Sequence, residues 1–255
     1  MDGLSDGELK LQARVVPAAR GARWLADGWR FFRAAPIGWT ALVFAYLVLT
    51  ILALAIPVAG ALAFAVLTPA LSVSFMAVAR AASRGAPVEL ALALEGFRLG
   101  LRPQIALGFI YAAFIAAIVG VSGLLLGELP AEATRPEDAG AGLAGIALMY
   151  VPVMMMFWFA PILAAWHSTT VAKALFFSVM AFLMNWRPFL VYGAVTGAAI
   201  FILVLVVVTL ARSIAPELPP GKLMLPLFVV VFPTLAGSYY ASYRDVFTEP
   251  GAGTP

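Results

Sequence analysis

Charged residues fall in clusters along this chain, and the stretches between the clusters are long and apolar. Ala34–Ala79 carries no charge at all. As one helix it would run about 69 Å, at 1.5 Å per residue. A bilayer's hydrocarbon core is only about 30 Å thick. The run must therefore double back, and Pro57-Val58-Ala59-Gly60 supplies the turn, predicting helices near 38–56 and 60–80. Four more charge-free runs follow: Gln104–Gly127, Ala139–Ala172, Pro188–Ala211 and Leu223–Tyr243. Each contains close to the roughly 20 residues that a crossing needs. Six spans are predicted. They must be α-helices, because lipid offers backbone amides no partner, and the short alternating segments of a barrel are missing.

Between the paired spans lie shorter segments with helical spacing. In Arg23–Arg33, Arg23, Asp27 and Arg30 share one face, and Trp24, Gly28 and Phe31 another. In Glu89–Arg102, Leu90, Leu94, Phe97 and Leu101 form a stripe opposed by Glu95, Arg98 and Arg102, with Pro87 suited to the first turn. Helices of this kind rest at headgroup depth. The third segment, Thr170–Trp186, is apolar nearly all round and reads either as packed beneath the bundle or as an additional span. The expected fold class is all-α: a polytopic bundle of six transmembrane helices with two or three amphipathic helices on one face.

The pieces recur in order. Phe31–Pro36, Phe97–Pro103 and Phe182–Pro188 each close an interfacial segment, and two spans follow each. The second span of each pair carries a proline and then an aromatic residue: Pro69 with Phe75, Pro161 with Trp166, Pro233 with Tyr239. Recurrence in a fixed order points to three tandem units, near 21–85, 86–169 and 170–247. They form one transmembrane domain, 21–247, between tails at 1–20 and 248–255. Each unit holds two spans, so all three share one orientation, unlike the inverted repeats of many carriers.

Composition agrees with a lipid solvent. Of 255 residues 63% are hydrophobic and 11% charged, against roughly 25% charged in soluble domains. The net charge of +3 does not signal a nucleic-acid partner, because membrane proteins gather Lys and Arg in cytoplasmic loops. Lys10, Arg14, Arg20, Arg23, Arg30 and Arg33 precede the first span, and Arg80, Arg84, Arg98 and Arg102 lie between the second and third. The loop after span three instead holds Glu128, Glu132, Glu137 and Asp138 against Arg135. The bias predicts both chain ends in the cytoplasm; the excess of Arg over Lys and the abundance of Ala read as a GC-rich bacterial genome, so the expected location is a bacterial cytoplasmic (inner) membrane. The first span, Ile37–Ile56, exceeds a signal-peptide core and is expected to remain as an anchor.

Three stretches carry a resemblance: Arg20–Leu25 with Gly28–Phe32, then Trp158-Phe159-Ala160-Pro161, then Tyr240-Ala241-Ser242-Tyr243-Arg244-Asp245-Val246-Phe247. Together they resemble an uncharacterised family of bacterial multi-pass inner-membrane proteins, over about Val15 to Phe247. The resemblance implies a membrane bundle and brings no catalytic residues. More loosely, the arrangement is similar to the membrane domains that accompany some glycerophosphodiester phosphodiesterases, without their catalytic domain.

Candidate chemistry is sparse. With no cysteine and one histidine, His167, neither a Cys-ligated zinc site nor a His cluster is available. His167 reads as an interfacial or packing residue, with a proton relay as the alternative. Ser72, Ser74, Thr196, Thr209 and Ser238 lie in spans, where hydroxyls bond to helix backbone. No Asp, Glu, Lys or Arg falls in the six span cores, unlike ion-coupled pumps. Gly193-Ala194-Val195-Thr196-Gly197 would bring helices close within the chain, with homodimerisation as the alternative, and Met154–Met156 reads as packing. Tyr150, Trp158, Trp166, Trp186, Tyr239, Tyr240 and Tyr243 read as interface anchors. No catalytic, cofactor or metal residues are expected. The reading is a non-enzymatic membrane component that meets anionic lipid or a protein partner through Arg30, Arg33, Arg98 and Arg102. The alternative is a carrier for a neutral or lipidic solute.

Overall fold

The computed structural model describes residues 13–126, 136–214 and 221–247. Regular structure among them is entirely helical: α1 (Arg20–Ala34), α2 (Pro36–Leu54), α3 (Ala59–Ser83), α4 (Glu95–Arg98), α5 (Leu101–Leu126), α6 (Pro136–Phe157), α7 (Ala160–Trp166), α8 (Val171–Met184), α9 (Trp186–Ile214) and α10 (Gly221–Val246). A 3₁₀ turn, Leu90–Leu94, leads into α4. Six stretches are long and apolar enough to cross a membrane: Pro36–Leu54, Ala59–Ser83, Leu101–Leu124, Ala144–Trp166, Trp186–Ile214 and Leu225–Val246. The protein is an all-α polytopic bundle. With 14 residues, α8 reaches only about 21 Å. It cannot span, and it packs instead against α6 and α7. The acidic stretch Glu128–Asp138 and the tails 1–12 and 248–255 lie outside the described residues, apart from the first backbone turn of α6.

The expected turn between α2 and α3 is tight. Val58 sits at φ 58° with ψ −60°, and the Ala59 N–H reaches the Pro57 carbonyl at 2.6 Å. That is a γ-turn of the strained, positive-φ kind. A Cβ on Gly60 would collide with the Ala53 carbonyl, so only glycine lets the two helices leave the turn this closely.

Two segments differ from expectation. The stretch 89–102 is not one helix: Gly100, at φ 67°, breaks it before α5 begins. Its packed face is not the leucine stripe either, since Leu94 and Leu101 are exposed while Gly96 is buried. Span four is also broken, between α6 and α7. Pro161 sits in the first turn of α7, and the interruption frees backbone groups of the span. Ser178 of α8 attends to them: its Oγ accepts from the Phe159 N–H at 2.9 Å and donates to the Met155 carbonyl at 2.8 Å. Ser178 is fully buried, so no water replaces it. Ser178→Ala should lower stability by about 1–3 kcal/mol, the usual cost of orphaning a buried polar group. Thermal unfolding of purified protein in detergent reads this directly.

The core is concentrated at the arginine-rich end of the bundle. Trp24, Trp39, Phe159, Ile162, Tyr240, Tyr243 and Phe247 are buried together there. The far ends of α2 and α9 expose Ile51, Leu52, Phe201, Leu205 and Leu210, a surface suited to lipid rather than water. Past Pro188, Phe189 and Tyr192, α9 has no buried side chain. A Cβ on Gly193 or Gly197 would meet nothing within 4 Å. The glycine pair of α9 therefore does not pack inside the chain, contrary to its sequence reading. Close helix approach is made instead at Gly21, Gly28, Gly96 and Gly108, each against another helix's backbone.

Candidate functional site

The three stretches that carry the resemblance converge at the arginine-rich end. There α1 lies against α9 and α10, and its first turn faces the last turn of α10. Asp245 accepts from Arg20 at 2.6 Å and 2.7 Å, and from Trp24 Nε1 at 2.8 Å. Asp27 is held by Arg30 and, at 3.0 Å, by Arg244. Trp158 Nε1 donates to Ser242 Oγ at 3.0 Å, and His167 Nε2 lies 2.7 Å from the Tyr243 hydroxyl. Ahead of α1, Arg14 N–H bonds to the Val246 carbonyl. Fully buried Asn185 takes the Val16 N–H and donates to the Arg14 carbonyl. The start and end of the described chain are thus tied into one knot.

A second, similar clamp forms beside it. Arg80 of α3 meets Glu95 of α4 at 2.8 Å and stacks 4.0 Å over the Trp166 ring, whose Nε1 also bonds to Glu95. The two clamps share their offsets. In each, an acid precedes a glycine, Asp27-Gly28 and Glu95-Gly96, and the arginine lies eleven residues beyond a span proline, Pro233 to Arg244 and Pro69 to Arg80. Gly28 abuts the backbone at Thr234 and Ser238, and Gly96 abuts it at Ala70. Gly96 N–H also donates to Ser74 Oγ at 3.2 Å. Helix α8 carries no acid, and its Ser178 bonds to the backbone where span four is broken.

These contacts correct several readings. Asp27, read on one helix face with Arg23 and Arg30, is only 4% exposed, and two arginines, Arg30 and Arg244, compensate its burial. The apolar face of α1 meets protein rather than lipid. Tyr240 and Tyr243 are buried inside the arginine-rich end rather than set as membrane anchors, and half-buried Trp158 and Trp166 pack against them, whereas Trp186 is exposed and stacks with Arg187. The acids were visible in the sequence; what distinguishes Asp27 and Glu95 there is the following glycine, which sequence reading overlooked.

The four arginines singled out from sequence divide. Arg30 is engaged by Asp27, although its side chain remains 71% exposed. Arg33, Arg98 and Arg102 are exposed and have no carboxylate partner among the described residues. No three His, Cys, Asp or Glu side chains come together among the described residues.

Helices of this length and apolarity, with a packed arginine-rich end and lipid-suited flanks, define an integral, multi-pass membrane protein. A probable inner membrane protein of Burkholderia thailandensis is 33% identical over 261 residues, covering 95% of this chain and 97% of that protein. The chain belongs to the family of that inner membrane protein. No family model matches it, and no solved structure does.

Proposed function

We propose that the protein is a non-enzymatic component of the bacterial cytoplasmic membrane, with both ends in the cytoplasm, that holds anionic lipid against its inner face. The observation that carries this reading is the division of the arginines. Arg20, Arg30, Arg80 and Arg244 neutralise half-buried or buried acids, so they serve the fold. Arg33, Arg98 and Arg102 are exposed without acids of their own. At headgroup depth each such charge attracts anionic lipid by about 1 kcal/mol. The two cavities described below are lined almost wholly by apolar side chains, which supports a lipid-engaging component over a carrier for polar solutes.

Three tandem units belong to the same proposal. The matched offsets of the two acid–glycine clamps support them, as does the way each interfacial segment meets the preceding unit's second span: α4 on α3, α8 on α6 and α7, and α1 on α10. On this reading the units close in a ring.

The test is Arg98→Gln with Arg102→Gln. Arg80 and Arg84 remain to orient the hairpin, so alkaline phosphatase fused after Gly140 should stay active. Native mass spectrometry should show at least a threefold loss of retained phosphatidylglycerol and cardiolipin. Unchanged retention with normal insertion leaves topology as the only role of these two arginines.

A further inference from the structure

Two adjoining grooves form a trough down one side of α2. Its outer part, about 630 Å³, lies between the end of α1, the start of α2, α3 and the segment around Val88–Ala93. Its deeper part, about 390 Å³, lies between α2, α3 and Ala93–Phe97. The two parts share Leu42 and Ala93. Gly38, Ala41, Leu42, Ala45, Tyr46 and Leu49 fall at three- and four-residue steps, so α2 presents one face along the whole trough. From Gly38 to Leu49 that face is about 17 Å long. This is close to half of the roughly 30 Å hydrocarbon core, the depth of one leaflet. Ala41 and Ala45 are small and exposed, leaving a slot between larger side chains. A hydrocarbon chain lying there touches protein on several sides and gains dispersion contacts that free lipid lacks.

A single charged side chain lines the outer mouth. Glu89 lines it and is exposed. Asp27, Glu95 and Asp245 are all held by arginine. Glu89 is the acid among the described side chains without such a partner. Arg33, exposed and equally without a carboxylate, immediately precedes the lining residue Ala34. An anionic headgroup at the mouth would be repelled by Glu89. A phosphoethanolamine headgroup instead brings an ammonium to that carboxylate, and its phosphate suits the guanidinium that precedes Ala34 in the chain. We propose that this trough is a binding site for one phosphatidylethanolamine molecule, with an acyl chain along α2 and its headgroup between Arg33 and Glu89. The site is separate from the looser anionic contacts of Arg98 and Arg102.

The full chain in mild detergent, given equal amounts of phosphatidylethanolamine and phosphatidylglycerol, provides the test. Native mass spectrometry should show one phosphatidylethanolamine retained per chain. Ala41→Phe with Ala45→Phe fills the slot and should reduce that species at least fivefold, at an unchanged melting temperature. Glu89→Gln, a surface change that leaves packing intact, should keep one lipid but bring the phosphatidylethanolamine preference over phosphatidylglycerol close to one. Three results overturn the proposal: retention by the filled variant equal to the parent, a preference for phosphatidylglycerol in the parent, or no change of preference with Glu89→Gln. A shift in oligomeric state on filling the slot, with lipid retention unmoved, would assign the trough to a second copy. Loss of anionic lipid in the Arg98/Arg102 variant does not affect these readouts, so the two proposals fail separately.

Discussion

Gly28→Val should leave little folded protein. A side chain there has no room: even its Cβ would overlap the Thr234 carbonyl and crowd the Ser238 amide. These are backbone atoms of α10 and cannot rotate away. Helix α1 must lift, and Trp24, Phe31 and Asp27 lift with it. Overpacking a tight contact costs about 1–3 kcal/mol. Parting Asp27 from Arg244 adds a share of the roughly 3–5 kcal/mol for breaking a buried pair, reduced because Arg244 is partly exposed. The total should exceed about 4 kcal/mol, a large fraction of most domains' stability. Gly120→Val is the control. Gly120 meets nothing within 4 Å, so the same substitution there should leave the melting temperature within a few degrees of the parent. Equal losses at both positions would show that glycine flexibility, not close approach, governs the effect.

Asp245→Ala should come second. It removes one carboxylate and leaves two donors, the Arg20 guanidinium and the Trp24 indole, without their acceptor. Arg20 keeps 28% of its side-chain surface in solvent, which places the loss near about 3 kcal/mol, the low end for a broken buried pair. Asp245→Asn retains an oxygen for one donor and should lose less. A double-mutant cycle with Arg20→Met isolates the pair; coupling of at least about 1 kcal/mol is expected for groups in direct contact. Additive losses would mean that Asp245 matters through Trp24 alone.

Span number and turn position were legible from hydropathy because lipid imposes one length on every crossing. The Pro57–Gly60 turn lies where a charge-free run too long for one helix has its proline and glycine. The six spans of the structure overlap the five charge-free runs, the first of which holds two of them. The clamp between α1 and α10 was hidden for a physical reason. A charged residue beside an apolar helix face reads as solvated, since partners more than two hundred positions away leave no local trace. Asp27 and Arg244 are such a pair, 217 residues apart. Aromatic residues misled in the opposite direction. Tyr240 and Tyr243 stand near a span end, where tyrosine commonly meets headgroups, yet α1 and the N-terminal segment cover that end and make it interior. For the glycines, spacing alone did not tell a used close approach from an open one. Gly193 and Gly197 have the familiar spacing and no neighbour, whereas Gly28 and Gly96, isolated in sequence, touch backbone.

The knot between α1 and α10 also sets a clock on biogenesis. Helix α1 leaves the ribosome early, but the Arg244 and Asp245 side chains that hold it are made about 217 residues later. At roughly 5–20 residues per second, that interval is about 10–40 s. During it Trp24, Phe31 and Asp27 lack their final neighbours, while α2 and α3 can already pair as a hairpin. Maturation therefore proceeds from the membrane hairpins outward, and α1 is among the last of the described helices to find its place. A chain arrested before α10 would present α1 as an unpaired apolar face, the kind of surface that chaperones and membrane proteases recognise.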